Sequence, residues 1–370
     1  MIAALINTIP QADPIALPAP PLLLWALLLL LFFCHMLPMN FVLGGSIIAV
    51  VARLRARAHE DSRMLAEWLG KMMPPMVATA VTFGVATLLF LQVLYGRLFF
   101  SSSIVLGWYW FAVVPILIVA YYGTYVIGFR GGKSGGAIVA LSAFVALLFM
   151  SIAFIYSNNM TMVLRPDTMH YLHGSSASPL HLNIGDPTLI PRYLHMLLGA
   201  IAVSGMVISV LGRHAAKDDE RHGTWAMRHG AIWFVMPTVF NFLVGLWWMG
   251  TLPREVILRF AGKSVVALVS LSVGSLLGVA ACVAMVMAMN APAPRRYVGV
   301  GLWTLLGCLF LMVVARDEVR KGMLGIAAFE PTAWVAPQWG VIAIFLVLLV
   351  AGIATTVWMV SLLTREPDKA

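Results

Sequence analysis

The sequence predicts an all-α, polytopic membrane helical bundle of about nine transmembrane helices, in two four-helix groups plus one, and three observations predict it. First, 61% of the 370 residues are hydrophobic and 11% charged, with a mean hydropathy of +0.93, a balance that water-soluble globules do not carry. Second, nine apolar runs, at 21–51, 72–95, 104–128, 134–157, 188–211, 227–249, 262–289, 297–316 and 337–363, each approach the length that crosses a bilayer. Third, the basic residues gather beside alternate runs. Arg53, Arg55, Arg57, Arg63 and Lys71 follow the first, Arg130 and Lys133 the third, and Arg213, Lys217, Arg221 and Arg228 the fifth. Arg295 and Arg296 follow the seventh, and Arg365 and Lys369 the ninth. These 15 of the 24 Lys+Arg mark one side as cytoplasmic, so the N-terminus is expected outside and the C-terminus inside, in a bacterial inner membrane. The net charge of +9 is thus read as orientation and not as a nucleic-acid surface.

In chain order, residues 1–20 carry no basic n-region and precede a run too long for a signal peptide, so they are read as an outer extension. Short connections make the rest a single membrane domain, taken as 21–215 (spans one to five) and 216–370 (spans six to nine). The first span holds Cys34-His35-Met36-Leu37-Pro38-Met39-Asn40. An imidazole inside a membrane is costly unless paired, so His35 is by default a functional-site hypothesis: a haem ligand, a proton relay or a buried hydrogen bond. Pro38 cannot donate to the Cys34 carbonyl and is expected to bend the helix beyond the histidine.

The second span carries Ala80, Gly84 and Thr87 at a spacing that lets helices approach closely, and Gln92 as the strongly polar side chain of its outer half. Gln92 is read as interhelical glue or as a residue facing a haem or a quinone. Tyr121, Tyr122 and Tyr125 fit an interfacial belt. The fourth span ends in Ser157-Asn158-Asn159-Met160, before an outer connection with His170, His173 and His181. His170 and His173 could share a helical face and bind a metal, against a default of solvated or partner-facing histidines.

The fifth span supplies His195, at the same expected depth as His35 and 160 residues later. Each histidine opens a group of four spans, which permits a parallel repeat, although no convincing residue-level match links the halves. Arg192, three residues before His195, shares its face one turn further out, where a haem propionate would lie. Arg97, Arg165, Arg259, Arg316, Arg320 and Lys321 add positive charge at that level, with interfacial snorkelling as the ordinary reading. Asn241 in span six reads as helix glue. The eighth span ends Ala315-Arg316-Asp317-Glu318-Val319-Arg320-Lys321, dense for a solvated rim and at the depth of propionates or a quinone mouth. Cys34, Cys282 and Cys308 all fall in spans without Cys-x-x-Cys-His, so no covalent c-type haem is expected. The 15 Asp+Glu sit in loops or at span ends, which argues against a proton-conducting oxidase core.

Together these residues resemble subunit I of the cytochrome bd quinol oxidases over roughly 20–215. The resemblance rests on His35 followed by Pro38, Gly44 and Gly45; on Trp68, Gly70 and Lys71; on Gly84-Val85-Ala86-Thr87; on Asn158-Asn159; and on His195. The chain departs from that family where Gln92 replaces a glutamate, where Ser272 and Arg316 fall near a haem-ligating methionine and glutamate, and where the quinol loop shrinks to Leu252–Gly262. The resemblance implies one or two b-type haems held by His35 and His195, with Met36, Met39 and Met196 as candidate second ligands. Arg192 and Arg97 would hold propionates, and Gln92 or Arg316 and Arg320 would border a quinone. The expected role is a respiratory-chain electron-transfer subunit between membrane quinol and a partner such as a periplasmic c-type cytochrome, in a hetero-oligomer with other membrane subunits. A true quinol:oxygen oxidase with a degenerate ligand set and a haem-free anchor or scaffold are the alternatives. A transporter is disfavoured, because no broken helix pair marks a midplane site.

Overall fold

The computed structural model describes residues 16–131, 133, 135–174, 181–325 and 334–363, and they form a helical membrane bundle. Helix α1 (Pro21–Arg55) starts on a proline, whose missing N–H costs nothing in a first turn, and runs unbroken through Pro38. Helix α2 (Glu60–Leu106) opens with Glu60 and Asp61, which suit the positive end of the helix dipole. It leaves helical geometry at Tyr95 (φ −133°, ψ 29°) and stops at Gly107, whose φ of 52° a glycine adopts without strain. Then come α3 (Trp108–Phe129), α4 (Gly136–Met162), the short α5 (Pro166–Gly174) and α6 (Leu189–Ala215). Helix α7 (Glu220–Gly250) is capped by Asp219, which accepts from the His222 N–H at 2.9 Å. A turn of helix α8 (Arg254–Leu258) passes through a π-turn at Arg259–Lys263 into α9 (Val265–Asn290). Helix α10 (Arg295–Leu324) closes at Gly325, and α11 (Trp339–Leu363) follows a backbone pairing of Leu17 with Val335.

Among the described residues eight helices, α1–α4, α6, α7, α9 and α10, are long and apolar enough to cross a membrane. The ninth expected span coincides with α11, whose apolar stretch of described residues, Trp339–Thr355, is shorter than those eight. Two boundaries move with consequences. Helix α2 runs on to Leu106, three residues into the expected third span. Helix α10 continues to Leu324, eight residues past the expected end of span eight, so the charges read as a possible rim lie within it. Asp317, Glu318 and Arg320 are 1%, 2% and 7% exposed there, so this is no solvated rim.

Helix α1 packs on α2 and α4, and α3 on both of the latter; α6 packs on α7, and α10 on α9 and α6. The two sets meet where α1 crosses α6. A Cβ on Gly44 would stand 2.2 Å from the Ala200 carbonyl oxygen, so only glycine allows this approach. In return the Ser204 hydroxyl donates to the Asn40 carbonyl at 3.2 Å. Since Gly44 and Ser204 stand nine residues after His35 and His195, and Asn40 and Ala200 five, the crossing is reciprocal. The crossing therefore holds the two histidines at matching positions near one end of the bundle, the histidine end; the opposite end is the basic end.

Candidate functional site

Each histidine lies on the first helix of its set and leans on the second. His35 Nδ1 lies 2.8 Å from the Ala80 carbonyl oxygen on α2, and His195 Nδ1 lies 3.3 Å from the Asn241 carbonyl oxygen on α7. A carbonyl only accepts, so Nδ1 carries the proton in both rings, leaving the Nε2 lone pair for a metal or another donor. Four residues beyond each carbonyl is a glycine. A Cβ on Gly84 would meet His35 Cε1 at 2.8 Å, and one on Gly245 would meet His195 Cε1 at 3.2 Å. Both imidazoles are half-buried.

This pairing repeats at an offset of 160 to 161 residues: His35 with His195, Ala80 with Asn241, Gly84 with Gly245. Sequence reading missed it. In the sequence Ala80 and Gly84 read as a helix-packing stripe and Asn241 as glue, and only the offset between the halves reveals one glycine and one carbonyl serving each ring. The Asn241 side-chain Oδ1 is buried without a hydrogen-bond partner among the described residues.

An arginine stands one aromatic ring from each histidine. Phe32 lies 6.4 Å from the His35 ring, and the Arg316 guanidinium sits 4.3 Å over Phe32. Trp248 lies 5.7 Å from the His195 ring, with the Arg192 guanidinium 5.6 Å from its centre. Neither arginine has an ion pair among the described residues. The neighbouring charges at the histidine end of α10 are neutralised. Asp317 accepts from Trp25 Nε1 at 2.8 Å and pairs with Lys321 (3.1 Å) and Arg320 (3.2 Å). Glu318 takes Arg259 at 2.6 Å, Lys321 at 2.8 Å and the Ser264 hydroxyl at 2.9 Å. Arg320 lies 4.8 Å over the Tyr95 ring, at the kink of α2.

Of the other candidates, Met36 and Met39 are half-buried on α1, whereas Met196 packs against the apolar cluster around Phe41 and Ala200. Gln92 and Arg97 are half-buried on either side of the Tyr95 kink. His170 and His173 share the short helix α5, but their side chains lie outside the described residues. Among the described residues no group of three or more His, Cys, Asp or Glu side chains converges as a metal site. Arg165 is tied at 2.7 Å to Asp186 in the loop before α6. Burial works to raise the Asp186 pKa, but bonds from Thr188 and Arg165 outweigh it and hold the carboxyl below its ordinary value.

No protein-family model and no curated protein matches this sequence. Among solved structures, a chain of the bd oxidase from Geobacillus thermodenitrificans matches with a TM-score of 0.66 and 12% identity, over 93% of this chain and 99% of that one. Nearly the whole of both chains shares one fold. At that identity the likeness establishes the fold and nothing finer.

Proposed function

We propose that this chain is a b-type haem electron-transfer subunit that exchanges electrons between membrane quinol and a partner redox protein, such as a c-type cytochrome outside the membrane. The observation that carries the reading is the twofold recurrence of a histidine whose Nδ1 is held by a carbonyl, so that its Nε2 presents a lone pair, with no hydrogen-bond partner for it among the described residues. The donor set fits haem. His35 and His195 would serve as axial ligands, with Met36, Met39 and Met196 as candidates for a second position. Arg192, Arg316 and Arg320 would hold propionates. Gln92 and Arg97, beside the kink of α2, would border the quinone.

A bound haem supplies one-electron chemistry, while the chain sets its position and potential. Here the carbonyls of Ala80 and Asn241 orient the imidazoles and raise their basicity, and the apolar helices keep water away. The reading carries the earlier orientation with it: an inner-membrane protein, N-terminus and histidine end outside, with 21–215 and 216–370 as the two parts and other membrane subunits as partners. It is favoured over the oxidase alternative because, among the described spanning helices, no acid lies midway between the two ends, and Asp317 and Glu318 at the histidine end are paired with cations.

The test is a reduced-minus-oxidised spectrum of the purified protein with a pyridine haemochrome assay. Two b-type haems per chain are expected, and His35→Ala and His195→Ala should each remove a different one. Full haem content in both variants removes the histidines from the reading, and a wild type without haem makes the chain an anchor.

A further inference from the structure

At the basic end, α6, α7, α9 and α10 meet over a small apolar core of Ala216, Met227, Ala288 and Val298. Around it stand three exposed arginines that no acid explains. Arg295, at the start of α10, donates to the carbonyl of Ala216 at the end of α6. Arg213, in the last turn of α6, crosses the other way and lays its guanidinium on α10, where a Cβ on Gly299 would stand 2.8 Å from Nη1. Arg213 and Ala216 lie about one turn apart on α6, as Arg295 and Gly299 do on α10, so the two guanidinium groups cross between the same two turns. Arg228 of α7 joins them through the carbonyl of Ala291, to which it donates at 3.1 Å, four residues before Arg295 across the α9–α10 turn. Carbonyls at helix C-termini attract cations, so these contacts fix the arginines without neutralising them. The nearby acids do not neutralise them either. Asp219 caps α7, and neither it nor Asp218 or Glu220 forms an ion pair with the three among the described residues. Towards the middle of the membrane the surface turns apolar at once. Ile232 and Met236 follow Arg228 on α7, Met287 precedes Ala291 on α9, Val300 follows Arg296 on α10, and all four are exposed.

We propose that this junction binds an anionic phospholipid of the leaflet at the basic end, its headgroup on Arg213, Arg295 and Arg228 and its acyl chains along the apolar faces of α7, α9 and α10. A guanidinium has five N–H donors, and a single carbonyl leaves most of them to a phosphodiester, which accepts them in charge-assisted bonds. The exposed apolar surface directly beneath the charge is where the chains of such a lipid hang, and Lys217 and Arg296 strengthen the attraction. Orientation in the membrane needs only a surplus of cations on one side. Holding three of them by two main-chain carbonyls and a glycine does more, because it pre-organises a site. The lipid site serves a membrane-spanning chain with or without haem.

The experiment is native mass spectrometry of the full chain in detergent, titrated in parallel with phosphatidylglycerol and phosphatidylcholine. The first should stay on the protein as a one-to-one adduct where the second is lost. Arg213→Gln, Arg228→Gln and Arg295→Gln should each weaken phosphatidylglycerol about fivefold, the factor that one interfacial charge carries. Gly299→Ala keeps every charge and displaces only the flexible end of Arg213, so it should weaken the lipid as Arg213→Gln does. Arg130→Gln, exposed at the same end but after α3, should retain it like wild type. If an arginine variant does not yield folded protein, Gly299→Ala against Arg130→Gln decides. Equal retention of both lipids, or wild-type retention in Gly299→Ala, overturns the site. The same loss in Arg130→Gln overturns it in favour of diffuse attraction between charges, and release of the lipid by an equal concentration of inorganic phosphate overturns it in favour of a free anion.

Discussion

Gly84 decides how His35 is held, because a methyl group there would lie 2.8 Å from Cε1 and 3.0 Å from Nδ1. Gly84→Ala must push the imidazole off the Ala80 carbonyl, at a combined cost of about 2–3 kcal/mol for overpacking and the lost hydrogen bond. Gly245→Ala meets His195 at 3.2 Å, a contact that a small tilt of the ring relieves. Haem per chain in the two variants checks this: Gly84→Ala should lose most of one haem, Gly245→Ala little. Equal retention would mean that the glycines do not seat the rings. The histidines themselves were legible in the sequence because an imidazole in an apolar run is out of place. Their seats were not legible, since a glycine and a main-chain carbonyl look like any other stretch of helix until the fold puts them under a ring.

The crossing of α1 and α6 and the clasp at the basic end join the two halves of the bundle. At the crossing, the Cβ of Gly44→Ala would run into backbone, the Ala200 carbonyl, which cannot move unless the two helix axes separate. The expected loss is about 3 kcal/mol, while Gly45→Ala next to it meets only side-chain atoms at 3.5 Å and should be nearly neutral. Thermal unfolding of the two variants in one detergent distinguishes them, and similar melting temperatures would refute the close approach. At the basic end Asp61 of α2 accepts from His222 Nδ1 at 2.9 Å and from Arg221 at 3.1 Å, both on α7. Burial works to raise the Asp61 pKa, but the bonds from His222 and Arg221 and their charge prevail and hold it below its ordinary value. A depressed carboxyl contributes stability that is complete above its unfolded pKa, about 3.9, and is lost only as pH falls through the lower folded value. The stability gap between wild type and Asp61→Asn should therefore persist from pH 8 down to pH 4. A gap that closes between pH 7 and pH 5 would show that a group other than Asp61 controls the clasp.

On the scale of the whole molecule, hydropathy alone locates the eight long helices, because a bilayer demands about 20 apolar residues whatever their order. It misplaces the end of α10, because the burial of Asp317 and Glu318 there is completed by Trp25, Arg259 and Ser264, partners far away in the sequence, besides the local Arg320 and Lys321. Those two acids bear on what the bundle can do. Helices α1, α3, α4, α6 and α9 contain no Asp or Glu; Glu60, Asp61 and Glu67 of α2 and Glu220 of α7 lie near the basic end, and Asp317 and Glu318 of α10 near the histidine end. No acid among the described spanning helices lies midway to carry a proton from one end to the other, and Asp317 and Glu318 of α10 are committed to cations. Reduction of oxygen consumes protons, whereas passing electrons from a quinol to a soluble acceptor at the same face does not need them from the opposite side. In proteoliposomes, quinol oxidation by this chain should thus proceed without proton uptake from the basic end, and the spectrum of the reduced protein should not change under carbon monoxide. A carbon monoxide shift together with alkalinisation on the basic side would make the chain an oxidase, with its protons carried by a route other than these side chains.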